Sequence, residues 1–64
     1  VVEFKYFKAK DASMVESLNA PRMEDVKQVD SYVADINHQF PNYRIRTYVV
    51  YLAAGKVCKI WELM

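Results

Sequence analysis

The 64-residue sequence contains few of the residues on which small functional sites usually depend, with one Gly, one Cys, one His and two Pro. A single glycine leaves no glycine-rich loop that could hold a phosphate, and one histidine, His38, makes no catalytic triad. No cysteine and histidine spacing typical of zinc occurs. We therefore expect a non-enzymatic protein without a metal or a cofactor.

The lone cysteine, Cys58, cannot close an intramolecular disulfide. Small secreted domains usually carry several disulfides, so a cytoplasmic location is expected. We expect Cys58 to be a small buried apolar residue rather than a nucleophile.

Long uncharged runs are also missing from the sequence. The longest, residues 47–55, has nine residues, whereas a membrane-spanning helix needs about 20. The first residues lack the apolar core of a signal peptide. The chain is therefore expected to have no membrane partner.

The composition nevertheless predicts a folded protein, since 53% of the residues are hydrophobic and 27% are charged. A chain this short forms one domain, residues 1–64, with little room for a large catalytic cleft. The net charge is +1, but residues 11–40 hold six acidic and two basic residues, and both flanking segments are basic. Overall neutrality thus hides a dipolar molecule.

The acidic middle segment has the periodicity of an amphipathic helix. Its apolar residues recur at spacings of three and four and form one stripe, consisting of Val26, Val29, Val33, Ile36 and Phe40. Pro41 ends this helix, which is predicted over residues 20–39, with a loop or a single turn over residues 11–18.

The flanking segments predict strands, over residues 2–6, 43–53 and 57–63, because they alternate or are rich in β-branched and aromatic residues. The predicted class is α+β, with the order β-α-β-β. We expect one helix on one face of a three-stranded, mainly antiparallel sheet of strand order 1-3-2. Gly55 suits the hairpin turn between the last two strands.

The hairpin register predicts which residues share each face of the sheet. Pairing Ala53 with Lys56 sets Val49 opposite Ile60 and Tyr48 opposite Trp61. The face toward the helix would then consist of Val2, Phe4, Tyr6, Ile45, Thr47, Val49, Tyr51, Cys58, Ile60 and Met64. The opposite face would consist of Glu3, Lys5, Phe7, Arg44, Arg46, Tyr48, Val50, Leu52, Val57, Lys59, Trp61 and Leu63.

An outer face of this composition is too apolar to remain in contact with water, and such patches usually mark an interface. Two alternatives stay open: a register shifted by one residue, which inverts the faces, and a segment 11–19 that folds over the sheet. The predicted partner-binding residues are Lys5, Phe7, Arg44, Arg46, Tyr48, Val50, Lys59 and Trp61.

The predicted function is binding of another protein or of a second copy, with a homodimer as one outcome. A subunit, an adaptor or an inhibitor of a larger protein would fit, the last being a role that accessory proteins of mobile genetic elements often have. The alternative is binding of single-stranded nucleic acid, because aromatic residues among cations can stack with bases. Aliphatic residues such as Val50 favour the protein partner.

Overall fold

The structure of the chain is a computed structural model that describes residues 1–63. The elements follow the order β1 (Val2–Phe7), a 3-10 turn (Ala9–Asp11), α1 (Ala12–Glu16), α2 (Met23–Gln39), β2 (Thr47–Ala53) and β3 (Lys56–Leu63). The predicted α+β class and the three-stranded sheet are confirmed. The prediction of a single helix is wrong, because residues 12–16 form a second one.

The long helix α2 forms where the apolar stripe predicted it, but it begins at Met23 rather than at residue 20. Arg22 has extended backbone angles and therefore precedes the first helical turn. The helix ends before Phe40, which is followed by Pro41. Within the stripe, Val29 is fully buried.

The short helix α1 lies where a loop or a single turn is predicted, and it supplies one core residue. Val15 is fully buried and lies in the same cluster as Val29. Both helices therefore cover the same face of the sheet, and segment 11–19 leaves the other face open. Neither helix in residues 1–63 has the length and apolarity that a bilayer span requires.

The predicted strand order 1-3-2 is wrong, since the sheet has the order β1-β2-β3. The prediction of a mainly antiparallel sheet is also wrong, because β1 runs parallel to β2 and only β2 and β3 pair antiparallel. The segment from Lys8 to Arg46 contains both helices, so it is long enough to return the chain for a parallel pairing. This pairing places β2, the most buried strand, at the centre of the sheet.

The hairpin register agrees with the prediction only next to the turn. Ala54 and Gly55 have positive φ values of 54° and 71°, as a two-residue hairpin turn requires, and Ala53 pairs with Lys56. An irregularity between Tyr51 and Leu52 then shifts the pairing by one residue, because β3 contains one additional residue there.

The shift inverts the faces for most of β3. Val49 pairs with Trp61 instead of Ile60, and Tyr48 pairs with Glu62. Trp61 and Leu63 consequently pack on the helix side, and Ile60 lies on the opposite side, 61% exposed. The predicted positions of these three residues were wrong. Cys58 lies on the helix side as predicted.

The faces of β1 are also the reverse of the prediction. Val2, Phe4 and Tyr6 lie away from the helices, whereas Glu3, Lys5 and Phe7 lie on the helix side. The reason is specific pairing: Lys5 contacts Asp25 of α2, and Phe7 packs against Tyr51. The predicted position of Met64 lies outside the described residues.

The core lies between the helices and the sheet. Four fully buried residues form its centre: Val15, Val29, Val49 and Tyr51. Six partly buried residues surround them, and these are Phe7, Leu18, Val33, Cys58, Trp61 and Leu63.

Candidate functional site

The eight residues predicted to bind a partner do not share one surface. Four of them are on the helix side of the sheet, namely Lys5, Phe7, Lys59 and Trp61. Arg44 and Arg46 are exposed in the segment that precedes β2. Only Tyr48 and Val50 lie within the strands on the helix-free side. The residues that the sequence placed on one surface are thus divided between the two sides of the sheet and the segment before β2.

The helix-free side of the sheet presents a regular grid of side chains, which we call the open sheet face. Strand pairing arranges it in three rows of three residues, one from each strand. The rows are Val2–Tyr48–Glu62, Phe4–Val50–Ile60 and Tyr6–Leu52–Val57. Eight of these nine residues are apolar or aromatic, and the one charge is that of Glu62.

Side chains of the two outer strands are strongly exposed on this face. Phe4 is 53% exposed, Ile60 is 61% exposed and Tyr6 is 75% exposed. Val50 on the central strand is buried, because its pairing partners Phe4 and Ile60 flank it on both sides. The open sheet face is therefore a contiguous apolar surface in contact with water.

The central strand β2 has the sequence of a strand that is covered on both faces. Strands of all-parallel sheets, which are covered on both faces, have nearly continuous apolar sequences. β2 fits that description, with the sequence Thr-Tyr-Val-Val-Tyr-Leu-Ala and no charged residue. Within residues 1–63, however, the helices cover only one face of this strand.

Sequence reasoning missed three contributors on β1 and two on β3: Val2, Phe4, Tyr6, Ile60 and Glu62. The alternation of apolar and charged residues in β1 correctly predicted which residues share a face. It did not indicate which of the two faces lies toward the helices. The one-residue shift in β3 has no clear signal in the sequence. A useful sign was the strongly apolar character of both faces of β2, which one helix layer cannot cover.

A second candidate site is the polar cluster buried beneath α2. The Tyr51 hydroxyl donates a short hydrogen bond to Asp25 Oδ2 and accepts one from the backbone N–H of Arg22, at 2.8 Å. Lys5 Nζ lies 3.5 Å from Asp25 Oδ1. The Asp25 carboxylate is buried and has a partner for each oxygen, so the cluster fixes the start of α2 to both β1 and β2.

The ring of Tyr51 lies in the centre of an aromatic group. Phe7 and Trp61 both meet it edge to face, each with a centroid distance of 5.0 Å. The Arg22 guanidinium lies 5.1 Å from the centre of the Phe7 ring. Burial, together with the bond to Asp25, raises the pKa of Tyr51 to about 12. Because Tyr51 is fully buried, its hydroxyl has no access to a substrate.

A shallow apolar hollow lies at the end of α2. Its volume is about 320 Å³, and Ile36, Phe40 and Tyr43 line it. His38 is exposed on the last turn of the same helix. Among residues 1–63, no three His, Cys, Asp or Glu side chains are grouped closely enough to hold a metal ion.

No family model, curated protein sequence or solved structure matches this chain.

Proposed function

We propose that this chain is a small non-enzymatic protein-binding module and that the open sheet face is its docking surface. The observation that carries the proposal is the orientation of β1. Its more apolar residue set, Val2, Phe4 and Tyr6, faces away from the helices, whereas Lys5 faces toward them. A strand whose more apolar side faces outward leaves an apolar surface that a partner can cover.

The composition of the open sheet face supports a protein partner. The centres of protein interfaces are depleted of charge and enriched in aromatic residues. Three of the nine grid positions are aromatic, and a single position at one corner is charged. The energetically central residues are expected to be Phe4 and Ile60, which flank the buried Val50 in the middle row.

The charge distribution disfavours binding of single-stranded nucleic acid. Such binding requires cations beside the stacking platform, to contact the phosphates. Lys5 and Lys59 lie on the opposite side of the sheet, where Lys5 pairs with Asp25. The charge within the grid is negative, at Glu62. A protein partner is therefore the better fit to this face.

The way in which the buried polar cluster is built supports a non-enzymatic role. Tyr51, Asp25 and Lys5 satisfy each other under the helix, which is a structural arrangement. The role as a subunit, an adaptor or an inhibitor of a larger protein agrees equally with such a surface.

Site-specific photocrosslinking tests the proposed function directly. A photoreactive phenylalanine analogue at position 4, in cells of the encoding organism, should give covalent adducts with protein. The same analogue at position 32 is the control, because Tyr32 is 42% exposed but lies on α2. We expect adducts from position 4 that are several times more abundant than those from position 32.

The contradicting result would be equal or absent adduct formation at both positions. A parallel titration with a fluorescent mixed-sequence oligonucleotide at low salt should show no change in polarisation. Tight oligonucleotide binding that Phe4→Ala abolishes would replace the protein-binding proposal with the nucleic-acid alternative.

A further inference from the structure

The open sheet face has features that point to one particular occupant. Its apolar fraction resembles that of homodimer interfaces, which are more apolar than those of transient complexes. The open sheet face is exposed to water as soon as the chain folds. A partner that covers it must therefore be present at that time and in an equal amount. A second copy of the chain meets this condition by definition.

The shape of the face also suits a second copy. Two twisted sheets pack face to face with their strands within about 30° of each other and about 10 Å apart. A pair of such chains would form four layers, in which the helices cover both outer sides of a six-stranded sandwich. Both faces of β2 would then be covered, as its continuous apolar sequence favours.

The area of the face can be compared with the area that specific interfaces bury. Three strands about 4.8 Å apart and three rows about 7 Å apart give a footprint of roughly 300 Å² in projection. Specific interfaces bury about 600 to 1,000 Å² of accessible surface on each partner. Exposed side chains and the rim raise the accessible area above the projection, so the pair falls at the small end of this range. A reversible dimer with a micromolar Kd is the expectation.

Charges at one end of the face are complementary to a second copy. Glu62 is the charged corner of the grid, and the ladder continues to Arg46, whose carbonyl accepts a hydrogen bond from the Val1 nitrogen at 2.6 Å. Alternation places Arg46 on the same side as Tyr48. The ion pairs formed within residues 1–63 are Lys5–Asp25 and Arg22–Glu24 and involve neither Glu62 nor Arg46.

We infer that two copies of the chain pack through their open sheet faces about a two-fold axis parallel to β2. This inference rests on the proposed function and names its partner. The axis sets β1 of one copy over β3 of the other, so that Phe4 contacts Ile60 of the second copy. The same axis brings Glu62 to the end of the dimer where Arg46 of the second copy lies.

Sedimentation equilibrium between about 5 and 500 µM tests this arrangement. The wild-type chain should shift from monomer to dimer within this range. Ile60→Glu and Phe4→Lys should each weaken self-association at least tenfold, since each places a charge against an apolar residue of the second copy. An equimolar mixture of the two variants should recover dimers, because the introduced carboxylate of one variant then meets the introduced ammonium group of the other.

The control is Met23→Glu, which adds the same charge as Ile60→Glu. Met23 is 69% exposed and lies outside the open sheet face. It should dimerise like the wild type. Near-ultraviolet circular dichroism of Trp61 verifies that each variant is folded.

A wild-type chain that stays monomeric throughout overturns the inference, and so does a dimer that both variants leave intact. Failure of the mixture to recover dimers overturns the two-fold arrangement. Adducts with other proteins from position 4 would in each of these cases still support the proposed function, so the two failures are distinguishable.

Discussion

At the scale of single residues, Tyr51 explains much of the fold. Its ring joins Phe7 of β1 to Trp61 of β3, and its hydroxyl binds Asp25 of α2. The sequence predicted correctly that Tyr51 faces the helix. It contained no sign that a buried carboxylate would meet it, because Asp25 has the sequence position of a surface residue in the first turn of an amphipathic helix.

Tyr51→Phe should lower the free energy of unfolding by about 1 to 3 kcal/mol at neutral pH, because it leaves a buried Asp25 oxygen without its donor. Urea denaturation at pH 7 measures this loss. Tyr32→Phe is the matched control, since the exposed Tyr32 hydroxyl bonds only Gln28, and a change within about 0.5 kcal/mol is expected. Equal losses in both variants would mean that Tyr51 contributes through its ring alone.

The raised pKa of Tyr51 predicts a loss of stability in alkali. Its pKa rises from 10.0 in the unfolded chain to about 12 in the fold, so its contribution is complete below pH 10 and disappears as pH rises toward 12. Two pKa units correspond to about 2 to 3 kcal/mol. The unfolding free energy of the wild type should fall by about that much more than that of Tyr51→Phe over this interval. Parallel curves for the two proteins would contradict the prediction.

At the scale of elements, the sequence predicted those that depend on local pattern and missed what depends on long-range pairing. The apolar stripe from Val26 to Phe40 fixed the extent of α2 to within a few residues. Strand order depended on where the connection returns, and the position of β1 depended on one ion pair and one aromatic contact. The one-residue shift in β3 exchanged the faces on which Ile60 and Trp61 lie, since a single additional residue moves every later side chain to the other face.

The stripe of α2 is not equally buried along its length, and this predicts unequal mutational effects. Val29 is fully buried, whereas Ile36 is only partly buried and lines the hollow at the end of the helix. Val29→Ala should cost about 2 kcal/mol of unfolding free energy, and Ile36→Ala only about 1 kcal/mol although it removes more carbon atoms. Denaturant melts of the two variants measure which loss of unfolding free energy is larger. A larger loss for Ile36→Ala would mean that Ile36, and not Val29, lies at the centre of the contact between the helix and the sheet.

At the scale of the whole molecule, residues 1–63 form two layers, and no helix among these residues covers the second face of the sheet. The sequence predicted that one face of the sheet is apolar and carries no helix, and the structure has such a face. The residues that form it are largely different, because Phe4, Tyr6 and Ile60 replace Lys5, Phe7 and Trp61. The exchange removed Lys5 and Lys59 from this surface and thereby changed the balance between a nucleic-acid partner and a protein partner.

The most direct test of the account is whether the open sheet face is covered in solution. Tyr6 and Tyr43 have nearly equal exposure in the single chain, 75% and 70%, but only Tyr6 lies on this face. Hydroxyl-radical footprinting at about 5 and 500 µM should show Tyr6 losing most of its reactivity at the higher concentration, at which a micromolar dimer is nearly complete. Tyr43 should react equally at both concentrations. Equal reactivity of Tyr6 and Tyr43 at both concentrations would contradict the central claim that a second copy occupies the open sheet face.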